Sequence, residues 1–170
     1  TSDRNLADVL ITEATGVEVS TFLPRIYYKR STDGNVLISN SSASDGWKWT
    51  EANVTSSPFD FTIDYSLLSG GSGVAVGDII QYFVIAQDIQ PTPRIGVNNC
   101  SFASGPLSVD LTAAAFPVGG IINSYFIVNA YTGIVNIGTG QTFTSLTANS
   151  SAGFFKAVND GVLTGNVTAN

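Results

Sequence analysis

An all-β chain built around an antiparallel sandwich is the fold class that the sequence predicts, on three observations. Short runs rich in β-branched and aromatic residues alternate with Gly, Pro and Asp-Gly turn signals at intervals of about 8–15 residues. Within Pro58–Tyr65, Phe59, Phe61, Ile63 and Tyr65 fall on one side and Asp60, Thr62 and Asp64 on the other, the period of a half-buried strand. Within Gly77–Asp88, Ile80, Tyr82, Val84 and Ala86 form one apolar face, and Ile79, Phe83 and Ile85 make the opposite face apolar as well. A strand of that kind is central and has something packed over its outer side.

The elements follow in order. Leu6–Thr12 is the first expected strand, ended by a turn at Gly16. Pro24 opens Arg25–Arg30, whose β-branched and aromatic residues between cations suit a strand. Asp33-Gly34 signals a tight turn, so Val36–Ser39 is expected to return as its hairpin partner. Asp45-Gly46 then opens Trp47–Glu51, and the two periodic segments come next. Pro91 and Pro93 break the ladder, Leu107–Leu111 and Ile121–Val128 supply the last strands, and Ala113–Ala115 makes a helical turn that Pro117 stops.

Between Thr112 and Asn170 only Lys156 and Asp160 are charged. That shift in composition places a domain boundary near residue 128, giving a sandwich over 1–128 and a second, incomplete β-rich domain over 129–170. The second part contains Ile134–Leu146 with a Gly138-Thr139-Gly140 turn, then one short helix capped by Ser150 or Ser151, with Phe154 and Phe155 meeting Val158 and Asp160-Gly161 ending it. Gly138-Thr139-Gly140 lacks the third glycine and the context of a phosphate loop. The final Asn166-Val167-Thr168 begins a strand with no partner, so the natural chain is expected to continue.

Composition excludes much. The 170 residues contain no His and one Cys, so the usual zinc sets, a Ser-His-Asp triad and a Cys-His pair cannot be assembled. Seven Lys and Arg against thirteen Asp and Glu give a net charge of −6, which offers no basic field for nucleic acid or anionic membrane. No apolar run approaches the roughly 20 residues that span a bilayer. A surface of Ser, Thr, Asn and Gly with almost no thiols suits a secreted or cell-surface module. Cys100 reads as a small half-buried apolar residue or as the donor of an intermolecular disulfide.

The run Pro24–Lys29, Gly46-Trp47-Lys48-Trp49, Phe59–Tyr65 and Gly77–Asp88 resembles the immunoglobulin-like or fibronectin type III-like modules of large secreted bacterial surface proteins. In those modules a Tyr-x-Val-x-Ala-x-Asp strand follows a Gly-Asp turn, matched here by Tyr82, Val84, Ala86 and Asp88. The resemblance covers about residues 6–128 and lacks the paired cysteines of antibody domains. It implies a non-catalytic spacer, adhesin unit or accessory domain beside an enzyme. Residues 134–170 are similar to the opening of a right-handed parallel β-helix, on the Gly-x-Gly turn, Phe143–Leu146, the helix through Phe155–Val158 and Asn166–Thr168 as a first rung. The insertion Thr147–Gly153 and the single rung depart from that pattern. Such β-helices belong to polysaccharide lyases, glycoside hydrolases or adhesins, whose catalytic residues would lie beyond Asn170.

Three sets of residues are the site expectations. Trp47 and Trp49, two apart on a strand and joined by Tyr27, either fill the core or form a flat stacking platform for a polysaccharide. Ile79, Phe83 and Ile85 are the expected docking surface for a neighbouring domain of the same chain. Asp33, Asn35, Asp45 and Asp88 are the loop oxygens from which a calcium site would be built, but no Asp-x-Asp-x-Asp-Gly spacing specifies one and no metal ligand is assigned. Asp60 with Asp64, and Asp78 with Asp88, sit on a solvated face and at turns, so no catalytic residue is assigned. The expected function is a non-catalytic module that positions its neighbour. The alternative is an accessory carbohydrate-binding module of a xylan- or pectin-degrading enzyme.

Overall fold

The computed structural model describes residues 2–148, 153–154, 157 and 162–169. Their elements are eleven strands and two single 3-10 turns, so the chain is all-β with antiparallel sheets, apart from one parallel pair in its C-terminal part. Two compact units divide it, Thr1–Tyr125 and Phe126–Asn170.

In the first unit, β2 (Arg25–Arg30) lies between β3 (Lys48–Glu51) and β5 (Ile79–Gln87), antiparallel to both. Register pairs Ile26 with Val84, Tyr28 with Tyr82 and Tyr27 with both Phe83 and Trp49. The far edge of β5 takes β6 (Ile95–Val97) through Ile85↔Val97, and β9 (Asn123–Phe126) also pairs β5. A second sheet joins β1 (Arg4–Val9) to β4 (Phe59–Ile63), with an irregularity at Asp8, whose φ of 58° turns the strand and whose N–H donates to Asp60. A short hairpin, β7 (Cys100–Phe102) with β8 (Val118–Gly120), completes the unit.

Because paired residues share a face, β2 and β5 present two apolar faces. Ile26, Tyr28, Ile80 and Val84 are buried on one, together with Phe59, Phe61 and Ile63 of the second sheet. The Tyr28 hydroxyl ties the sheets by donating to the Asp64 carbonyl at 3.0 Å and accepting from its N–H at 3.2 Å. The other face carries Tyr27, Trp47, Phe83 and Ile85, which cluster with Val109, Leu111, Ala115, Phe116 and Val118. The cover that a doubly apolar β5 demands is therefore residues 109–118 of the same unit.

Two strand expectations are corrected. Val36–Ser39 makes no strand beside β2, because β3 holds that edge; Leu37 forms a single bridge to Gly46. Gly46 is needed there, with φ at 86° and Val36 O 2.1 Å from where a Cβ would stand. Leu107–Leu111 is also not a strand, since its backbone groups pair with side chains, as described below.

In the second unit β10 (Ala130–Val135) pairs in parallel with β11 (Val162–Ala169), and two further parallel bridges join Ile137 to Phe143 and Ser145 to Gly153. Phe143 and Phe154 are buried edge to face, 5.4 Å apart. Of the expected short helix, Ser150, Ser151, Phe155, Val158, Asp160 and Gly161 lie outside the described residues.

Candidate functional site

Tyr27, Asn35, Gln87 and Arg25 converge on residues 108–118, a strap laid across the outer face of β2 and β5. Over Ser108–Leu111 the strap has no strand partner, and its backbone groups are satisfied by side chains. Tyr27 Oη donates to Val109 O at 2.9 Å and accepts from Leu111 N at 3.1 Å. Gln87 Oε1 accepts from Val109 N at 3.0 Å and from the Ser108 hydroxyl at 3.2 Å. Asn35 closes the far end, its Nδ2 donating to Val118 O at 2.8 Å and its Oδ1 accepting from Val118 N at 3.0 Å and from the Trp47 indole at 2.9 Å.

Arg25 clamps the strap to the sheet edge. Its guanidinium meets Asp110 at 2.6 Å and Glu51 at 3.1 Å, and lies 3.7 Å over the Trp49 ring. Underneath, Tyr27 and Phe83 stack at 5.2 Å and 6°, with Trp47 and Phe102 edge-on to Phe83 at 5.0 and 5.7 Å.

This packing leaves the expected docking face covered and puts the aromatic set on the core-filling side of its two readings. Phe83 and Ile85 are 0% exposed beneath the strap, and Ile79 is half-buried, so this face is filled from within the unit and is not free to dock a neighbour. Trp47 and Tyr27 are likewise 0% exposed, and the half-buried Trp49 carries the Arg25 guanidinium on its ring; the three do not form an open platform. Indole and phenol groups gain more from burial against Phe83 than from exposure.

The loop oxygens are engaged locally. Asp33 accepts from Arg30 N at 3.1 Å, and Asp45 accepts from Gly34 N at 3.0 Å and Gly46 N at 2.7 Å, which hold its carboxyl below the usual range. Asp88, 2% exposed, accepts from Gln90 N at 3.3 Å and Arg94 N at 2.9 Å through Oδ1, while Oδ2 has no partner among the described residues. Asp60 and Asp78 accept from Asp8 N and Ala75 N, and Asp64 caps the 3-10 turn Tyr65–Leu67 by accepting from Ser66 N at 2.8 Å. Among the described residues no three His, Cys, Asp or Glu side chains converge. Cys100 is half-buried, and burial pushes its thiol up to about 11.

Two lysines fix the loop that carries Asp33 and Asp45. Lys48 Nζ donates to Ser44 O and Oγ, both at 2.8 Å, to Ser39 O at 3.2 Å and to Asp45 O at 3.4 Å. Lys29 Nζ donates to Asp33 O at 2.9 Å and Arg30 O at 3.0 Å. Burial lowers the pKa of both ammonium groups.

Sequence reasoning missed Arg25, Gln87 and Asp110, and named Asn35 only as a loop oxygen for calcium. Gln87 alone had a signal, being a long polar residue directly after the apolar run Phe83–Ala86 of β5. No helix among the described residues is long and apolar enough to cross a membrane. Comparison with protein families, curated proteins and solved structures gives no match.

Proposed function

We propose that this chain is a non-catalytic structural and interaction module of a multidomain secreted or cell-surface protein. Its first unit is read as an immunoglobulin-like or fibronectin type III-like sandwich, and its second as the opening of a β-helix that the first helps to position. The observation that carries this is how the polar side chains of the outer face are used. Tyr27, Asn35, Gln87 and Arg25 all bind the strap, and Lys29 and Lys48 bind loop carbonyls. Side chains engaged in this way rigidify one arrangement and leave little free for chemistry on a substrate. The parallel pairing of β10 with β11 supports the β-helix reading of the second unit, since parallel strands need a long crossover and β-helices supply one per coil.

A second reading, the accessory carbohydrate-binding module, rests on the edge formed by Trp49, Glu51 and Asp110. Trp49 is half-buried, and the two carboxylate side chains are 40% and 59% exposed. Titrating the full chain with soluble xylan, cellulose and pectin oligosaccharides separates the two. The module reading expects no heat, no change in Trp fluorescence and no release of reducing ends. Heat that disappears in Trp49→Ala transfers the chain to the second reading, and turnover overturns both.

A further inference from the structure

The first unit is fastened at its own two ends. Its incoming strand β1 belongs to one sheet and its outgoing strand β9 pairs with the other, yet their side chains meet. The Arg4 guanidinium lies 4.5 Å from the centre of the Tyr125 ring. The Tyr125 hydroxyl is 2.9 Å from that of Tyr65, and the backbone N–H of Tyr65 donates to Asp3 at 2.9 Å. Tyr82 closes the cluster, its ring 6.0 Å from that of Tyr125. Asp3, Arg4, Tyr65, Tyr82 and Tyr125 thus form a clasp that holds the start of the unit against its end.

We infer that the first unit is a closed lobe, whose own two ends lie at one place, and not a spacer that sets its ends apart. The inference rests on reading the chain as a non-catalytic module and specifies what kind. Facing sheets pack about 10 Å apart, which is the separation expected for strands that enter through one sheet and leave through the other at the same end. A spacer of this length would instead set its ends a domain diameter apart, on the order of 30 Å. The polar and cationic members of the clasp bear on its strength. An Arg over a tyrosine face adds an attraction beyond burial, and the paired Tyr65 and Tyr125 hydroxyls satisfy each other in a half-buried setting. Tension applied across the two ends of such a unit loads the clasp before it loads the sandwich.

The test is a distance measurement on the full chain. Ser2 and Ser124 are both exposed; with Cys100→Ser as background, Ser2→Cys and Ser124→Cys carry nitroxide labels for pulsed dipolar spectroscopy. The distance distribution is expected to peak below about 30 Å, the diameter a spacer would require, and to broaden in Arg4→Ala combined with Tyr125→Leu. A peak at or beyond that distance in the parent background overturns the inference. If far-UV circular dichroism shows that the Cys100→Ser background is unfolded, Cys100→Ala takes its place. Polysaccharide turnover with a short distance would defeat the module reading alone. A long distance with no binding or turnover would defeat the lobe alone.

Discussion

Tyr27 donates its phenolic hydrogen to the carbonyl of Val109, 2.9 Å away and 82 positions later in the sequence. The same oxygen accepts from Leu111 N, so one hydroxyl does for the strap what a neighbouring strand would do. Tyr27→Phe keeps the ring on Phe83 and leaves two buried backbone groups unpaired. The expected loss is about 2 kcal/mol of stability, read as a lower urea midpoint at unchanged slope. An unchanged midpoint would show that the strap is held by its apolar residues alone.

The Lys48 ammonium is central to the loop running from Ser39 to Asp45. Lys48→Met fills the volume and removes the bonds that the ammonium donates to Ser39 O, Ser44 O and Oγ and Asp45 O. Relief from burying a charge offsets part of the damage, so the expected net cost is about 2 kcal/mol. Hydrogen exchange gives the local readout. The Trp47 amide, which donates to Val36 O at 2.9 Å, should lose protection in the variant ahead of amides in β2. Equal protection in both would overturn the assignment.

The legible part of the fold is the part whose hydrogen bonds are local or periodic. Phe59, Phe61 and Ile63 are buried on one side of β4 and alternate with less buried Asp60 and Thr62, as their period requires. The two-sided burial of β5 was legible as a need for cover, but the cover's identity was not. Leu107, Val109 and Leu111 alternate with Ser108 and Asp110 and so read as a strand, but the backbone partners of this stretch sit on Tyr27 and Gln87, and those of Val118 on Asn35, far away in sequence. Whether the Trp pair fills the core or forms a platform was not decidable from its spacing for a related reason. Position on one face of a strand is a local property, whereas exposure of that face depends on whether Val109, Leu111 and Phe116 fold over it. The hairpin expected at Asp33-Gly34 was lost to β3, whose pairing with β2 is non-local.

Glu18 should make one contribution to acid sensitivity. Its Oε1 accepts from the Ser20 hydroxyl and N–H, both at 2.6 Å, and from Thr21 N at 2.9 Å. These bonds, the Ser20 hydroxyl first, lower its pKa from 4.5 to about 2. A carboxyl depressed in the folded state contributes stability that is fully present above its unfolded pKa and is lost as pH falls through the folded one. The window is therefore from 4.5 down to about 2. Melting temperature measured across it should fall with acid less steeply in Glu18→Gln than in the parent chain. Parallel curves would remove Glu18 from the account, leaving Asp45, which is lowered by the Gly34 and Gly46 N–H groups.

At alkaline pH the sign reverses, and tyrosine governs it. Burial raises the pKa of Tyr27, Tyr28 and Tyr125, three of the chain's six tyrosines, above the ordinary 10.0. An acid whose folded pKa is raised contributes stability that is complete below its unfolded pKa and is lost as pH climbs beyond it, because the unfolded chain releases the proton first. Lys29 and Lys48 act in the opposite direction. Burial lowers their pKa below 10.5, so the folded chain gives up those protons first and gains stability as pH rises toward that value. Above it the lysine contribution is constant and the tyrosine loss continues, so the protein should unfold in strong base. Phenolate absorbance near 295 nm should then rise in two phases, the second coinciding with loss of the far-UV circular dichroism signal. A titration in which all six tyrosines ionise before the dichroism changes would contradict the burial of Tyr27 and Tyr28 and, with it, the hydroxyl that fastens the strap.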